Sequence, residues 1–224
     1  MKKLVTILLC VSSVNLYSQN IELFGGVNNT IFHDNRDDGG HFQSTYKSDP
    51  TYSFGIAIDN IIMGIMDSAI FRFTLQFDKY SGNIEARDGG QGGSYSIAAN
   101  INKSLLSFGF FPISFRIFKK IDFNFGFQLS KLVSESFIGT SSSSGHGVYN
   151  SYDLQEKHKK FSSSTYFGPI VRLAYDFHIY KSIIISPQYS FYYGMTNEFL
   201  EFPAETKSMR HFIGIGIKKN LKNT

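Results

Sequence analysis

The sequence of 224 residues has little of what soluble secreted proteins and helical membrane proteins rely on. It contains no tryptophan, five prolines and one cysteine, and only 18% of its residues are charged. The cysteine, Cys10, lies in an N-terminal segment that we expect to be removed, so disulfide bonds and thiol chemistry are excluded for the rest of the chain. Beyond that segment no run of about 18 apolar residues occurs, which excludes a membrane-spanning helix.

Aromatic and strand-forming residues are abundant instead. The chain has 23 Phe and 13 Tyr, and aromatics make up 16% of it. Together with Ile, Ser and Gly, this composition favours strands and turns and excludes a largely disordered chain. The formal net charge is +4 and no basic run accompanies it, so we expect no nucleic-acid partner.

The N-terminal segment has the pattern of a secretory signal. Lys2 and Lys3 precede an apolar run over 4–11 and a polar stretch over 12–19. The apolar run is too short to span a bilayer, which takes about 20 helical residues. We therefore predict a cleaved signal peptide over 1–19 and a single domain over 20–224.

Apolar residues alternate with small, polar or charged ones along most of the remaining chain. The apolar faces of the four clearest segments carry no Asp, Glu, Lys or Arg; these segments are 121–129, 167–179, 183–195 and 209–217. A period of two predicts strands with one apolar face. Four weaker segments bring the count to eight; these are 20–32, 54–58, 71–77 and 94–118.

The segment 94–118 is too long for one membrane crossing. Either it projects beyond the membrane, which we prefer, or it breaks near Asn102 and Lys103 and raises the strand count to nine. We place Phe111, Ile113, Phe115 and Ile117 on its apolar face. Prolines 112, 169 and 187 each remove a ladder hydrogen bond, and we expect a bulge at each.

Two architectures produce this alternation. In a soluble lipocalin-like barrel the apolar face points inward, whereas in an outer-membrane barrel it contacts lipid. The opposite faces are rich in Gly, Ser and Ala, which fit the narrow interior of an eight-stranded barrel. The apolar segments match the ~9–11 residues of a tilted membrane strand, and Tyr and Phe cluster towards strand ends.

The connections also alternate in length, which a soluble barrel does not require. The long ones, which we expect outside the cell, are 33–50, 87–93, 139–163 and 200–207, and the short periplasmic ones are 63–68, 119–120 and 180–182. We therefore predict an all-β, eight-stranded antiparallel up-and-down transmembrane β-barrel with a side-chain-filled lumen in the cell outer membrane. A soluble periplasmic binder of a hydrophobic ligand is the alternative.

Three stretches resemble a known family: LLSFGFFPISFRIFKKIDFNFGFQLSKLVSES over 105–136, GGVNNT over 25–30 and HFIGIGIKKNL over 211–221. They are similar to the small outer-membrane β-barrel proteins of Bacteroidetes often labelled PorT-like. In that family a Pro-containing strand, a short basic turn and an aromatic strand with a central Gly follow one another. The resemblance implies the barrel fold and an accessory role in secretion across the outer membrane.

Charged residues on the predicted inward faces form the candidate site. Four are arginines and five are carboxylates: Glu22, Asp59, Arg72, Asp78, Arg116, Asp122, Arg172, Asp176 and Arg210. An isolated charge is costly in a narrow, dry lumen, so these groups must pair. Arginine suits such pairing because its planar fork binds carboxylates through two bonds. We interpret the set as a structural network and expect no catalytic dyad.

Two other chemistries stay open. No Ser and His are close in sequence on the same strand face, so a hydrolase acting on lipid or peptide would need a triad assembled from loops at the outer rim. Asp34, Asp37 and Asp38 could hold calcium, but Arg36 breaks the EF-hand spacing and a solvated loop fits better.

The function we predict is structural, binding or accessory to envelope assembly. We expect no enzymatic activity, no cofactor, no metal and no open pore. The expected partners are outer-membrane lipid, the outer-membrane assembly machinery, and a protein or ligand at the extracellular loops.

Overall fold

The computed structural model describes residues 20–35, 42–59, 71–90, 93–118, 120–153, 161–180, 182–200 and 205–221. The signal-peptide prediction, Asp37, Asp38 and the connection 63–68 lie outside these residues. The described part of the chain includes no helix long and apolar enough to cross a membrane.

The described elements are eleven strands in one antiparallel sheet. They are β1 (Asn20–Asn35), β2 (Phe42–Asp49), β3 (Thr51–Asp59), β4 (Arg72–Gly90), β5 (Gly93–Ile117), β6 (Ile121–Gly145), β7 (Val148–Asp153), β8 (Thr165–Tyr175), β9 (Phe177–Tyr180), β10 (Ile183–Tyr193) and β11 (Glu205–Asn220).

Eight of these strands close into a ring. Neighbours pair in the order β1, β3, β4, β5, β6, β8, β10 and β11, and β11 pairs back to β1. The closing seam runs from Asn20 opposite Asn220 to Asn35 opposite Glu205. Strand β9 continues the line of β8 against β10. The predicted eight-stranded up-and-down barrel is therefore confirmed.

The outside of the ring is apolar on every strand. Each strand exposes large hydrophobic side chains there, among them Leu23, Phe54, Leu75, Phe108, Leu129, Leu173, Tyr189 and Ile215. The alternate residues point inward and are mostly buried and polar. This is the reverse of a soluble barrel and places the apolar face against lipid, so the lipocalin-like alternative is wrong.

Three of the described ring strands, β4, β5 and β6, continue far beyond this apolar belt at one end of the barrel. The outward residues change to polar at Lys79 of β4, Ser104 of β5 and Lys131 of β6, yet these strands continue to Gly90, Gly93 and Gly145. The part of β5 beyond Lys103 is roughly 35 Å long at about 3.3 Å per residue. Strand β2 pairs with upper β4, and β7 pairs with upper β6.

We call this five-stranded upper part of β2, β4, β5, β6 and β7 the extension. It corrects the prediction of long loops, because 87–93 is mostly strand and much of 33–50 and 139–163 folds back as β2 and β7. The preferred reading of 94–118 is confirmed, since β5 is one strand that projects beyond the membrane.

A bulge in β5 changes one predicted face. The register between β5 and β6 shifts between Phe110 and Ile113, around Pro112. Phe111 is consequently 1% exposed and points into the lumen, while Ile113 and Phe115 point outward. Bulges at Pro169 and Pro187 were wrong predictions: these residues pair with Phe127 and Ile215 in unbroken register.

Candidate functional site: the charged lumen and the extension

Glu22 is the centre of the first charge group in the lumen. It lies on β1 and is fully buried. Its carboxylate accepts hydrogen bonds from Arg72 Nη1 at 2.8 Å, Arg172 Nη2 at 3.2 Å and Gln188 Nε2 at 3.1 Å. These partners come from β4, β8 and β10, so the group joins strands that are not neighbours across the lumen.

Both arginines of this group have further partners. Arg72 Nη1 donates to Asp59 Oδ1 at 2.5 Å. Arg172 donates through Nε to Gln188 at 2.5 Å and through Nη1 to Asn124 at 2.8 Å. Two guanidinium groups thus share one buried glutamate and donate further hydrogen bonds to an aspartate and two amides, while Arg72 Nε has no partner among the described residues.

A second charge group closes the periplasmic end, where the short turns lie. Lys218 Nζ, fully buried, donates to Asp122 Oδ2 and Asp176 Oδ1, both at 2.8 Å. Arg116, partly exposed at the rim, binds Asp122 through two hydrogen bonds of 2.7 and 3.0 Å and reaches Asp176 at 3.3 Å. The two positive charges of Lys218 and Arg116 therefore neutralise the two negative charges of Asp122 and Asp176.

Asp78 behaves differently from the prediction that every lumen charge pairs with an opposite charge. Among the described residues it forms no ion pair. Its carboxylate instead accepts hydrogen bonds from Ser53 Oγ and Ser107 Oγ, both at 2.6 Å, and from Gln76 Nε2 at 2.5 Å. Neutral donors from three strands satisfy this carboxylate, which ion-pair reasoning could not anticipate.

A third charge group lies at the outer end, just above the belt. Lys103 Nζ on β5 contacts Glu198 Oε1 at 3.0 Å, and Arg210 Nη2 on β11 lies 3.7 Å from Glu198 Oε2. Burial, the largest influence, lowers the pKa of Lys103 despite the nearby Glu198. Burial opposes ionisation of Glu198 too, but the positive charges of Lys103 and Arg210 outweigh it and lower its pKa.

An aromatic cap covers this outer group. The Phe199 ring centroid lies 4.4 Å from Lys103 Nζ, which is within cation–π range. Phe199 also contacts Phe32, Tyr46 and Phe161 at ring distances of 5.4, 6.3 and 5.2 Å. Phe161 and Phe199 belong to a buried apolar cluster on the inner face of the extension, and Phe32 and Tyr46 pack against it, so this cluster covers the outer charge group.

Strand β2 is fastened to the barrel through Asp34. Its carboxylate accepts hydrogen bonds from Tyr46 and Thr206 hydroxyls, both at 2.8 Å, and from Ser44. Burial, followed by the neighbouring Asp34, raises the pKa of Tyr46 above its ordinary value. The Asp34 side chain thus has protein partners from β2 and β11, and the calcium alternative for this loop, which the sequence disfavoured, is not tested because Asp37 and Asp38 lie outside the described residues.

The described residues leave little space between them inside the barrel. Two lumen cavities have volumes of about 20 and 10 Å³, the first around Asp78 and Arg210 and the second around Arg72 and Arg116. Each holds no more than one or two waters, since a water needs about 10–15 Å³ by this measure. The predicted side-chain-filled lumen is confirmed.

All nine charged residues predicted from the sequence lie on the lumen side, but they divide into separate groups. Sequence reasoning missed three charged residues of these groups: Lys218, which pairs with Asp122 and Asp176, Glu198, which lies beside Arg210, and Lys103, which pairs with Glu198. Lys218 lies on the same face of β11 as Arg210, so extending the predicted segment 209–217 by one residue would have included it. Glu198 follows the end of β10, where no period-two pattern exists.

The described residues contain no group of three or more His, Cys, Asp and Glu placed to hold a metal ion. His211 Nδ1 lies 2.8 Å from the Tyr189 hydroxyl on the outside of the barrel, whereas Ser208 is buried on the opposite face. These two residues do not form a Ser–His pair.

The outward face of the extension carries mostly polar side chains, with exposed Ile138 among them. Hydroxyl pairs cross from β5 to β6, with Ser94 Oγ 2.7 Å from Ser144 Oγ and Ser96 Oγ 2.7 Å from Ser142 Oγ. Exposed Asn100 and Thr140 lie on the same face. The extension therefore carries exposed polar side chains on hydrogen-bonded strands beyond the lipid-facing belt.

A closed ring with a lipid-facing belt and a sealed, charged lumen defines an integral outer-membrane β-barrel protein. No protein-family model matches the chain, and no curated protein matches it.

Solved structures of similar fold include the attachment invasion locus protein Ail of Yersinia pestis, with 8% identity over 89% of this chain and 97% of that one at a TM-score of 0.37. Neisserial surface protein A has 10% identity over 91% and 98% at 0.39. OprG from Pseudomonas aeruginosa has 13% identity over 89% and 95% at 0.38.

Proposed function

We propose that this protein is a non-conducting, non-enzymatic outer-membrane scaffold whose extension is a contact surface for a partner outside the membrane. The observation that carries the proposal is the extension itself. Strands β4, β5 and β6 continue far beyond the belt as regular sheet, and an apolar cluster anchors them to the barrel mouth. A rigid sheet of this kind holds its exposed side chains in fixed positions, which lowers the entropy lost on binding.

The lumen supports the non-conducting part of this proposal. Three charge groups and the aromatic cap lie between the two ends of the barrel, and the two cavities hold at most one or two waters each. An accessory role in envelope assembly or secretion, which the resemblance to PorT-like barrels implies, is one form of this function. The belt and the strand ends would contact outer-membrane lipid and, during insertion, the assembly machinery.

Site-specific photo-crosslinking in intact cells tests the contact surface. A photoreactive residue replaces Asn100 or Thr140 on the extension, and the matched controls carry it at Leu129 or Phe115 in the belt. We expect the same discrete crosslinked band from both extension positions and only lipid adducts from the belt.

Gel electrophoresis with and without boiling shows in each case whether the barrel is assembled. A closed barrel resists detergent, so the unboiled protein migrates differently from the boiled protein. An assembled barrel without a discrete crosslink at either extension position contradicts the proposal. A band of equal intensity from the belt controls contradicts it as well, because the contact would then lie within the membrane.

A further inference from the structure

The larger lumen cavity has an unusual wall. Its volume is about 20 Å³, and its polar lining includes Asn28, Gln76, Asp78, Gln128, Ser190 and Arg210. The cavity lies between the apolar contact of Phe111, Ile170 and Tyr192 and the contact of Tyr80, Leu105 and Tyr166. Its lining shares Ile170 and Tyr192 with the first of these contacts and Tyr80 with the second.

Arg210 is the exceptional residue of this wall. It is 5% exposed, and within the described residues none of its three guanidinium nitrogens has a hydrogen-bond acceptor. Its nearest carboxylate oxygen, Glu198 Oε2, is 3.7 Å away, which exceeds hydrogen-bond distance. Arg72 and Arg172 deeper in the lumen, by contrast, donate directly to protein oxygens.

Aromatic rings surround the Arg210 guanidinium without replacing those acceptors. Its central carbon lies 4.8 Å from the Tyr80 centroid, 5.1 Å from Tyr166 and 4.6 Å from Tyr192. Ring faces stabilise the positive charge, but N–H groups in the guanidinium plane still require acceptors. The Tyr192 hydroxyl has no partner within the described residues either.

We infer that this cavity is a binding site for one or two ordered water molecules, with Arg210 as the principal donor. Size and chemistry both select water. The volume suits one or two water molecules, and a ligand must accept from Arg210 while donating to the carboxylate or amide oxygens opposite.

An anion fits this wall poorly. The Asp78 carboxylate lines the same cavity, and the Glu198 carboxylate lies beside Arg210, so an anion would approach two negative charges. Lys103 already contacts Glu198 at 3.0 Å, and its charge is directed to that carboxylate. Water carries no charge and both donates and accepts hydrogen bonds, so it can accept from Arg210 and donate to an oxygen of the same wall.

Crystals of the full chain grown with sodium bromide in place of sodium chloride test this site. We expect oxygen-sized density within hydrogen-bond distance of an Arg210 nitrogen and of an oxygen of Asp78, Gln76 or Gln128, without a bromine anomalous peak. A bromide peak beside Arg210 overturns the inference in favour of an anion site. Direct hydrogen bonding of Arg210 to Glu198, or a cavity without density, overturns it as well.

Nuclear magnetic resonance of the same protein in detergent micelles gives an independent measurement. We expect a cross-peak between the Arg210 Nε proton and water. The matched control is Arg172, whose Nε donates to Gln188 Oε1 at 2.5 Å and should show no such peak. Equal peaks from both arginines, or none from Arg210, contradict the inference.

Discussion

Glu22 shows how strongly one buried residue can determine the stability of this barrel. Replacing it with Gln leaves Arg72 and Arg172 without their shared negative charge. Removing one partner of a buried ion pair costs about 3–5 kcal/mol. We therefore expect E22Q to lower the free energy of unfolding by an amount of that order, measured by urea titration of the vesicle-reconstituted barrel with the gel mobility shift as readout.

Glu205 provides the matched control for this measurement. It pairs with Lys207 at 3.1 Å, but its side chain is 64% exposed. Exposed pairs contribute about 0–1 kcal/mol, so E205Q should unfold close to wild type. Equal effects of E22Q and E205Q would contradict a stabilising lumen network.

We expect the contribution of Glu198 to the free energy of unfolding to be lost in acid. Its pKa is lowered in the folded protein, so its contribution is fully present above the unfolded pKa and is lost as pH falls through the folded value. The stability difference between wild type and E198Q should be largest near neutral pH and shrink below about pH 4, near the usual glutamate pKa.

Urea titrations of both proteins between pH 3 and about 7, a range that brackets the usual glutamate pKa, measure this difference. A difference that is constant across the range, or that grows in acid, would show that Glu198 does not act as a paired carboxylate.

At the scale of single residues, the sequence predicted the lumen charges but not all of their partners. Alternation fixed the inward face of Arg72 and Arg172, and both contact Glu22 as expected of buried opposite charges. It did not reveal that hydroxyl and amide donors satisfy Asp78, because those donors come from other strands. Glu198 was missed because it lies in an irregular segment.

The bulge at Pro112 is the local feature of a strand that matters most. The extra residue there moves Phe111 to the inner face, and Gly126 of β6 lies against the bulged backbone. A Cβ added at Gly126 would lie 2.0 Å from the Phe110 carbonyl oxygen and 2.7 Å from Phe111 Cα. Backbone atoms can yield only by shifting the strand.

We expect G126A to destabilise the barrel by roughly 1–3 kcal/mol, the range typical of overpacking. The matched control is G89A near the tip of the extension, where an added Cβ meets nothing within 4 Å. Urea titrations of both variants measure the effect. If G89A proved as harmful as G126A, the close approach at the bulge would not be the cause.

Strand prediction was successful where one face contacts lipid and the other faces the lumen, because the two environments demand opposite side chains. In the extension the contrast weakens. Strand β7 carries six exposed residues, and its polar sequence resembles that of a loop. A tight turn with positive φ at His146 and Gly147 brings β7 back against β6, and the pairing with β6 makes it a strand. Because this pairing does not require an apolar face, the sequence of β7 shows no alternation of apolar and polar residues.

For the whole molecule, the sealed lumen predicts an electrically silent barrel. An eight-stranded ring has an interior just wide enough for side chains, and here buried charges and rings occupy it. Purified protein in planar bilayers should show no steady conductance steps, while its unboiled band confirms that the barrel is folded. Reproducible steps from the folded protein would contradict both the filled lumen and the scaffold proposal.

The seam between β1 and β11 has a consequence for biosynthesis. The first and last described strands complete each other, so a nascent chain cannot finish its sheet while it is still being translated. Until β11 arrives, β1 carries an open hydrogen-bonding edge that lipid cannot satisfy. The ring therefore cannot close before β11 has been made, and contacts between such distant parts of a chain form slowly. Throughout that interval the unpaired edge of β1 is open to pairing with other chains.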